Sequence, residues 1–175
     1  MRVSPSRRKY LRSAMKQLNR ISMYLAAQLL LIALCFVGCS DTGLPNRVDL
    51  TFVRASGERT AIFRVEVAAT PEERRKGMMF RRSLDANRGM LLMYPSEQEY
   101  LVSTKDVYLP LDFVFVSSKG KVVGLIQNEP PMNDVPRTIG RASNFILMFP
   151  SGTIRYLGLE DGDGVIIQGA LPRAS

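Results

Sequence analysis

The chain has 175 residues and a formal net charge of +8, but that charge is unevenly distributed. Seven of its 24 Lys and Arg residues precede residue 21, and no acidic residue does; from Cys39 onward, 17 cations accompany 16 acids. The basic character therefore belongs to the first residues and does not indicate a nucleic-acid partner. Cys35 and Cys39 are the only cysteines and there is no His, which excludes Cys/His zinc sites and a histidine general base. We expect no metal and no cofactor.

Residues 1–38 have the pattern of an export signal or membrane anchor, because a basic stretch precedes the apolar run from Ile21 to Gly38. Phe36-Val37-Gly38-Cys39 resembles a bacterial lipobox, in which the Cys is lipidated and becomes the N-terminus after cleavage. We therefore expect residues 39–47 to comprise a lipidated Cys39 and a polar tether. The alternative is an uncleaved anchor. Both place the rest of the chain in the cell envelope, exported across the inner membrane, since the cations flank the N-terminal end of the apolar run.

The first elements after the tether are a hairpin and a short helix. Val48 to Ala55 and Arg59 to Ala68 alternate apolar and polar residues around a Gly-containing turn, which predicts two antiparallel strands. Thr70-Pro71-Glu72-Glu73 then predicts a helix start, with Thr70 as the cap and Glu73 completing a capping box. Gly77 is a natural end for this helix.

A buried strand and a central hairpin follow. Gly89 to Tyr94 is fully apolar and is followed by Pro95, which predicts a strand that ends there and continues as a loop. The stretch from Lys105 to Asn128 predicts two strands around a turn at Ser117 to Gly120. Because residues two apart in a strand share a face, Phe113 and Phe115 should both point into the core.

The last part of the chain predicts three more short elements. Asn144 to Phe149 is another apolar strand, a helical turn follows Gly152, and Val165 to Gln168 is the final strand. Roughly seven strands at short spacing, with one or two short helices, predict a mainly β fold, an antiparallel β-sandwich or open barrel. We expect a single domain over residues 48–168 and a tail over 169–175.

Several spaced motifs carry a family resemblance. They are Thr70-Pro71-Glu72-Glu73-Arg74, Lys76-Gly77-Met78-Met79-Phe80-Arg81, Gly89-Met90-Leu91, Pro110-Leu111-Asp112, Gly152-Thr153 and Leu157-Gly158-Leu159 with Gly162-Asp163. In this order and spacing the chain resembles the domain of unknown function 192 family. The resemblance implies a compact domain with jelly-roll-like sheets and one short helix. It implies no particular activity, because the family has none that is settled.

The chain departs from the family pattern at three positions. Where family members have Trp and Asn before the Pro-Leu-Asp motif, this chain has Ser103 and Asp106, although it keeps Lys105 between them. Where many members have a Glu in a late strand, it has Met148. If the family's Trp and Glu line a binding site, the resemblance implies that this protein has lost part of that site and that its ligand is changed or abandoned.

Lys105, Asp106 and Asp112 form the densest polar group beside the central hairpin. Asp112 lies among apolar residues, and a buried carboxylate needs a partner. One interpretation is a site that binds a ligand or partner, or an acid–base pair. The alternative is a structural ion pair or an Asp that caps a turn.

A second group contains five cations within nine residues: Arg74, Arg75, Lys76, Arg81 and Arg82. It is a candidate basic patch for phospholipid head groups or an acidic partner. The alternative is a solvated helix face, offset by Glu72 and Glu73.

The leading functional hypothesis is a lipid-anchored, non-catalytic binding or accessory module of the cell envelope. Its expected partners are the membrane, through the lipid, and an envelope protein or small ligand, with no nucleic acid. One alternative is an envelope hydrolase or lyase that uses Lys105 and Asp112. Another is a structural envelope protein without a ligand.

Overall fold

The computed structural model describes residues 46–175, so the predictions for the leader and for Cys39 lie outside the described residues. The described part contains seven strands and two short helices, which confirms the predicted mainly β fold. In chain order they are β1 (Arg47–Val53), β2 (Phe63–Ala68), α1 (Pro71–Lys76), β3 (Arg88–Gln98), β4 (Leu111–Val116), β5 (Val122–Glu129), β6 (Ser143–Pro150), α2 (Thr153–Leu157) and β7 (Gly164–Gln168). Neither helix in this part of the chain has the length and apolar character needed to cross a membrane.

The strands form a single sheet in the order β5-β4-β6-β3-β2-β1-β7. All neighbouring pairs are antiparallel except β2 and β3, which are parallel. This pair differs from the predicted all-antiparallel arrangement. The reason is the connection between them, because a crossover that contains α1 returns the chain to the starting end of β2, as a parallel pair requires.

The sheet curls until its two edge strands meet at one end. The backbone N–H of Val122 donates to the carbonyl of Asp163 at 2.8 Å, and Val165 N–H donates to the carbonyl of Gly120 at 2.8 Å. A bridge between Lys121 and Gly164 completes the contact. The sheet is therefore an open barrel in which β5 and β7 touch at one end only.

Alternate residues of β4 and β6 belong to two separate apolar clusters on opposite faces of the sheet. Val114, Leu147 and Phe149 belong to one cluster, together with residues of β1, β2 and α2. Phe113 and Phe115 belong to the other, which is covered by the loops before β4 and after β5. Both Phe side chains are at most 1 % exposed, so the prediction that they point into the core is confirmed.

Strand β3 is longer than the sequence predicts. It continues through Pro95 to Gln98, with a register shift against β6 between Met93 and Gln98. Proline lacks an N–H to donate, and such a bulge is where a strand tolerates it. The last residues are also held more firmly than a loose tail, because Ser175 N–H donates to the carbonyl of Ala69 at 3.1 Å.

Candidate binding site

A cleft of about 170 Å³ lies between the end of α1, the loop before β4 and the second apolar cluster. Its floor is made by apolar side chains of β3, β4 and β6, among them Leu92, Leu111, Phe113 and Met148. Its rim carries four cations: Arg74, Arg75, Lys76 and Lys105. The cleft thus joins residues of two groups that the sequence treats as separate, the basic patch and the Lys105 group.

The helix that carries three of these cations is fixed by its own sequence. Thr70 Oγ1 accepts from the N–H of Glu73 at 3.2 Å, and Glu73 Oε2 accepts from the N–H of Thr70 at 3.0 Å, which confirms the predicted capping box. The backbone hydrogen bond from Thr70 lowers the pKa of Glu73, outweighing the opposing effect of burial. Gly77 adopts φ of 43° and ends the helix, as predicted. The basic residues therefore lie together in the last turn.

Arg74 is occupied by structural contacts. Its guanidinium donates to the carbonyls of Ala69 at 2.5 Å, Met93 at 2.8 Å and Ser175 at 2.7 Å. It also lies 4.9 Å from the centre of the Tyr94 ring. Burial raises the pKa of that tyrosine, although the charge of Arg74 opposes the change. Arg74 therefore ties α1 to β3 and to the C-terminus at one side of the cleft.

The other three cations of the rim are free to bind. Within residues 46–175, the side chains of Arg75, Lys76 and Lys105 form no hydrogen bond or ion pair, and all three are exposed. Glu72 and Lys76, which lie four residues apart in α1, do not form an ion pair with each other. No Asp or Glu is among the described residues that line the cleft. The rim is consequently an uncompensated positive region above an apolar floor.

Arg81 and Arg82 do not belong to this rim. The guanidinium of Arg81 pairs with both carboxylate oxygens of Glu66, at 2.8 and 2.5 Å, and the Glu66 side chain is only 8 % exposed. Arg82 lies 4.6 Å from the centre of the Tyr108 ring. Of the five cations in the candidate basic patch, Arg74, Arg75 and Lys76 therefore line the cleft, whereas Arg81 and Arg82 contact other side chains of the domain.

Asp112 is separated from Lys105 by the sheet. It shares a face with Val114, whereas the cleft is floored by Leu111 and Phe113 on the opposite face. Its carboxylate is 1 % exposed and accepts from the N–H of Asn128 at 2.8 Å and of Ile154 at 2.9 Å. It lines a different cavity, of about 140 Å³. Asp112 therefore caps backbone N–H groups of two neighbouring segments, and it lies apart from Lys105.

Asp106 contributes through its backbone. It adopts φ of 57°, a left-handed conformation that Asp tolerates better than most residues, and its carbonyl accepts from the N–H of Phe80 at 2.7 Å. Its side chain is not among those that line the cleft. Asp106 thus joins the Lys105 loop to the segment after α1.

Neighbouring contacts hold the Lys105 loop in place. Thr104 is fully buried, and its Oγ1 donates to the carbonyl of Pro130 at 2.5 Å. The N–H of Asn133 in turn donates to Thr104 Oγ1 at 3.2 Å. Lys105 is therefore presented at the rim by a backbone anchored on both sides.

Sequence reasoning missed the floor of the cleft. Tyr94, Leu111 and Phe113 read as ordinary core residues, because nothing in a strand pattern distinguishes a residue under a cleft from one under a loop. One signal was available. Ser103 and Met148, two of the three departures from the family pattern, both line the cleft.

Among residues 46–175, no group of three or more His, Cys, Asp or Glu is placed to hold a metal ion.

These observations define a small, mainly β domain with a cationic cleft. Residues 51–167 match the model of the family DUF192, described as "Uncharacterized ACR", and the chain belongs to that family. No curated protein matches the chain.

Two solved structures are similar to the described domain. One is a Sinorhizobium meliloti 1021 protein named as a candidate transcription regulator, with a TM-score of 0.68 and 26% identity, covering 73% of this chain and 98% of that one. The other is a protein of unknown function from Novosphingobium aromaticivorans DSM 12444, with a TM-score of 0.67 and 29% identity, covering 73% of this chain and 89% of that one.

Proposed function

We propose that this protein is a non-catalytic binding module of the cell envelope, tethered through a lipid on Cys39, and that the cleft under Lys105 is its recognition site. The observation that carries the proposal is the composition of the cleft. Among the described residues that line it, three cations whose side chains lack internal partners surround an apolar floor, and none is Asp or Glu. Such a site attracts and holds a ligand, but it lacks the paired acid and base that hydrolytic or lyase chemistry needs.

The position of Asp112 supports binding over catalysis. Both of its carboxylate oxygens accept backbone hydrogen bonds, and it lies on the other face of the sheet from Lys105. The alternative enzyme would need these two side chains on one reacting group. No geometry in residues 46–175 favours that pairing.

The name of the Sinorhizobium relative suggests a role in transcription, but such a role has less support for this chain. Residues 46–175 contain 17 cations and 15 acids, so the described domain lacks the strong positive charge typical of nucleic-acid binders. The leader and the lipobox-like segment before Cys39 support an envelope location instead.

The proposal is tested by what the anchored protein captures. The tagged full chain is purified from membranes, and small molecules and proteins that co-purify are identified by mass spectrometry. Lys105→Ala is the test variant and Lys119→Ala the matched control, because Lys119 is an exposed lysine in the β4–β5 turn that does not line the cleft. We expect Lys105→Ala to lose a species that the wild type and Lys119→Ala retain. Equal capture by all three proteins would contradict the assignment of the cleft.

A further inference from the structure

We infer that the ligand of the cleft is a small carboxylate with an apolar body about the size of a benzene ring. This inference rests on the proposed function, because it names the chemical class that the same cleft would take. It has two parts, one for the floor and one for the rim.

The floor sets the size and polarity of the ligand's body. Its buried residues are apolar, and they include Met78, Leu92, Phe113 and Met148. The cleft volume of about 170 Å³ is close to that of an engineered apolar protein cavity, roughly 150 Å³, which binds benzene. Drug-sized ligands need larger pockets, of about 300 Å³ or more. A body of roughly six carbon atoms therefore fits, and it gains free energy by leaving water.

The rim sets the charge of the ligand. Arg75 offers a planar guanidinium that matches a carboxylate with two parallel hydrogen bonds, and Lys76 and Lys105 offer ammonium groups. Because none of the three forms an ion pair within residues 46–175, a ligand anion displaces no internal acid. A cation would be repelled by all of them, and a neutral ligand would leave them without a partner.

The residue at position 148 strengthens the argument for an anion. Met148 is 5 % exposed and lies in the floor, so it adds apolar surface. A carboxylate at this position would neutralise part of the rim and repel a ligand anion across the cleft. With methionine there, the positive field of the rim is not opposed from below.

The experiment uses three probe molecules that distinguish the requirement for an apolar body from the requirement for a negative charge. The full chain in lipid nanodiscs is labelled with ¹³C at its methionine methyl groups and titrated at neutral pH with benzoate, benzyl alcohol or acetate. Met78, Met79 and Met148 line the cleft and report binding. Met93, in the other apolar cluster, and exposed Met132 serve as internal controls. Lys105→Gln and Arg75→Gln remove one cation each from exposed positions, so the fold should survive, and Lys119→Gln is the matched control.

We expect benzoate to shift the three cleft methyl signals and to leave those of the two control methionines in place. Its affinity should fall about tenfold in Lys105→Gln or Arg75→Gln, since each loses a charge-assisted hydrogen bond, and should be unchanged in Lys119→Gln. Benzyl alcohol or acetate binding as tightly as benzoate would overturn the inference. Failure of benzoate to shift these signals would overturn it as well. If, in that case, another compound is captured by the wild type and lost by Lys105→Ala, the proposed function survives and only the ligand class is wrong.

Discussion

The carboxylate of Asp112, on β4, accepts a hydrogen bond of 2.9 Å from the backbone N–H of Ile154, at the start of α2. The other carboxylate oxygen accepts from Asn128, so one buried side chain holds both the end of β5 and the start of α2. Asp112 is thus a structural residue, although from the sequence it was a candidate for the binding site.

Replacing Asp112 with Ala should destabilise the fold without touching the cleft. The change leaves two backbone N–H groups without their acceptor, which should lower the free energy of unfolding by about 2–4 kcal/mol. Urea denaturation measures it, with Asp134→Ala as an exposed control that should stay within about 0.5 kcal/mol of wild type. A loss for Asp112→Ala no larger than that of the control would mean that the two hydrogen bonds contribute nothing.

The core position of Phe115 predicts a larger effect. Its ring is fully buried between the sheet and the covering loops, so Phe115→Ala leaves a cavity and should cost about 3–5 kcal/mol. Tyr156→Ala is the matched aromatic control, because Tyr156 is 85% exposed and its loss should cost within about 0.5 kcal/mol. Similar unfolding midpoints for the two variants would contradict the assignment of this face as core.

The capping box predicts a dependence on pH. The hydrogen bond from Thr70 lowers the pKa of Glu73 in the folded state below its ordinary value of 4.5. The ionised carboxylate therefore adds stability above pH 4.5, and this contribution disappears as the pH falls through the folded-state pKa. Glu73→Gln keeps the shape of the cap and removes the charge, so it should be less stable than wild type at pH 7 and equally stable in acid. Thermal melting from pH 7 to pH 2 measures the difference, and a constant gap over this range would be the contrary result.

The lipid anchor makes a prediction about Cys39. Replacing this residue with Ala removes the acceptor thiol, so the protein should lack the lipid and leave the membrane fraction or remain as an uncleaved precursor. Intact mass and fractionation of the two proteins test it. A Cys39→Ala protein with the processing and fractionation of the wild type would favour the uncleaved anchor.

Much of the fold was predictable because its signals are local. The capping box from Thr70 to Glu73 and the hairpin around Gly120 are each encoded within a few residues, and both are present. The parallel pairing of β2 with β3 was not predictable, because it depends on where the crossover returns the chain. Gly89 was placed in a predicted strand and in a family motif, but the reason for a glycine at this position was not predictable. Its reason is nonlocal, since a Cβ there would lie 2.7 Å from the carbonyl oxygen of Met148 on the adjacent strand.

The binding site was predictable in part. Lys105 was singled out, and so were the cations of α1, but their convergence depends on how the loop before β4 packs beside the helix. Asp112 was grouped with Lys105 because the two are close in sequence. Strand alternation alone did not show that the Lys105 loop covers the face of the sheet opposite to the one on which the Asp112 side chain lies.

The central claim is that Lys105 serves binding and not folding. Its most direct test measures unfolding and capture on the same purified Lys105→Ala protein. Because Lys105 is exposed and has no ion pair within residues 46–175, the free energy of unfolding should stay within about 1 kcal/mol of wild type, while the species captured by the wild type is lost. Unfolding of the variant would make Lys105 a structural residue, and full capture by a stable variant would place the recognition site elsewhere; either result would contradict the account.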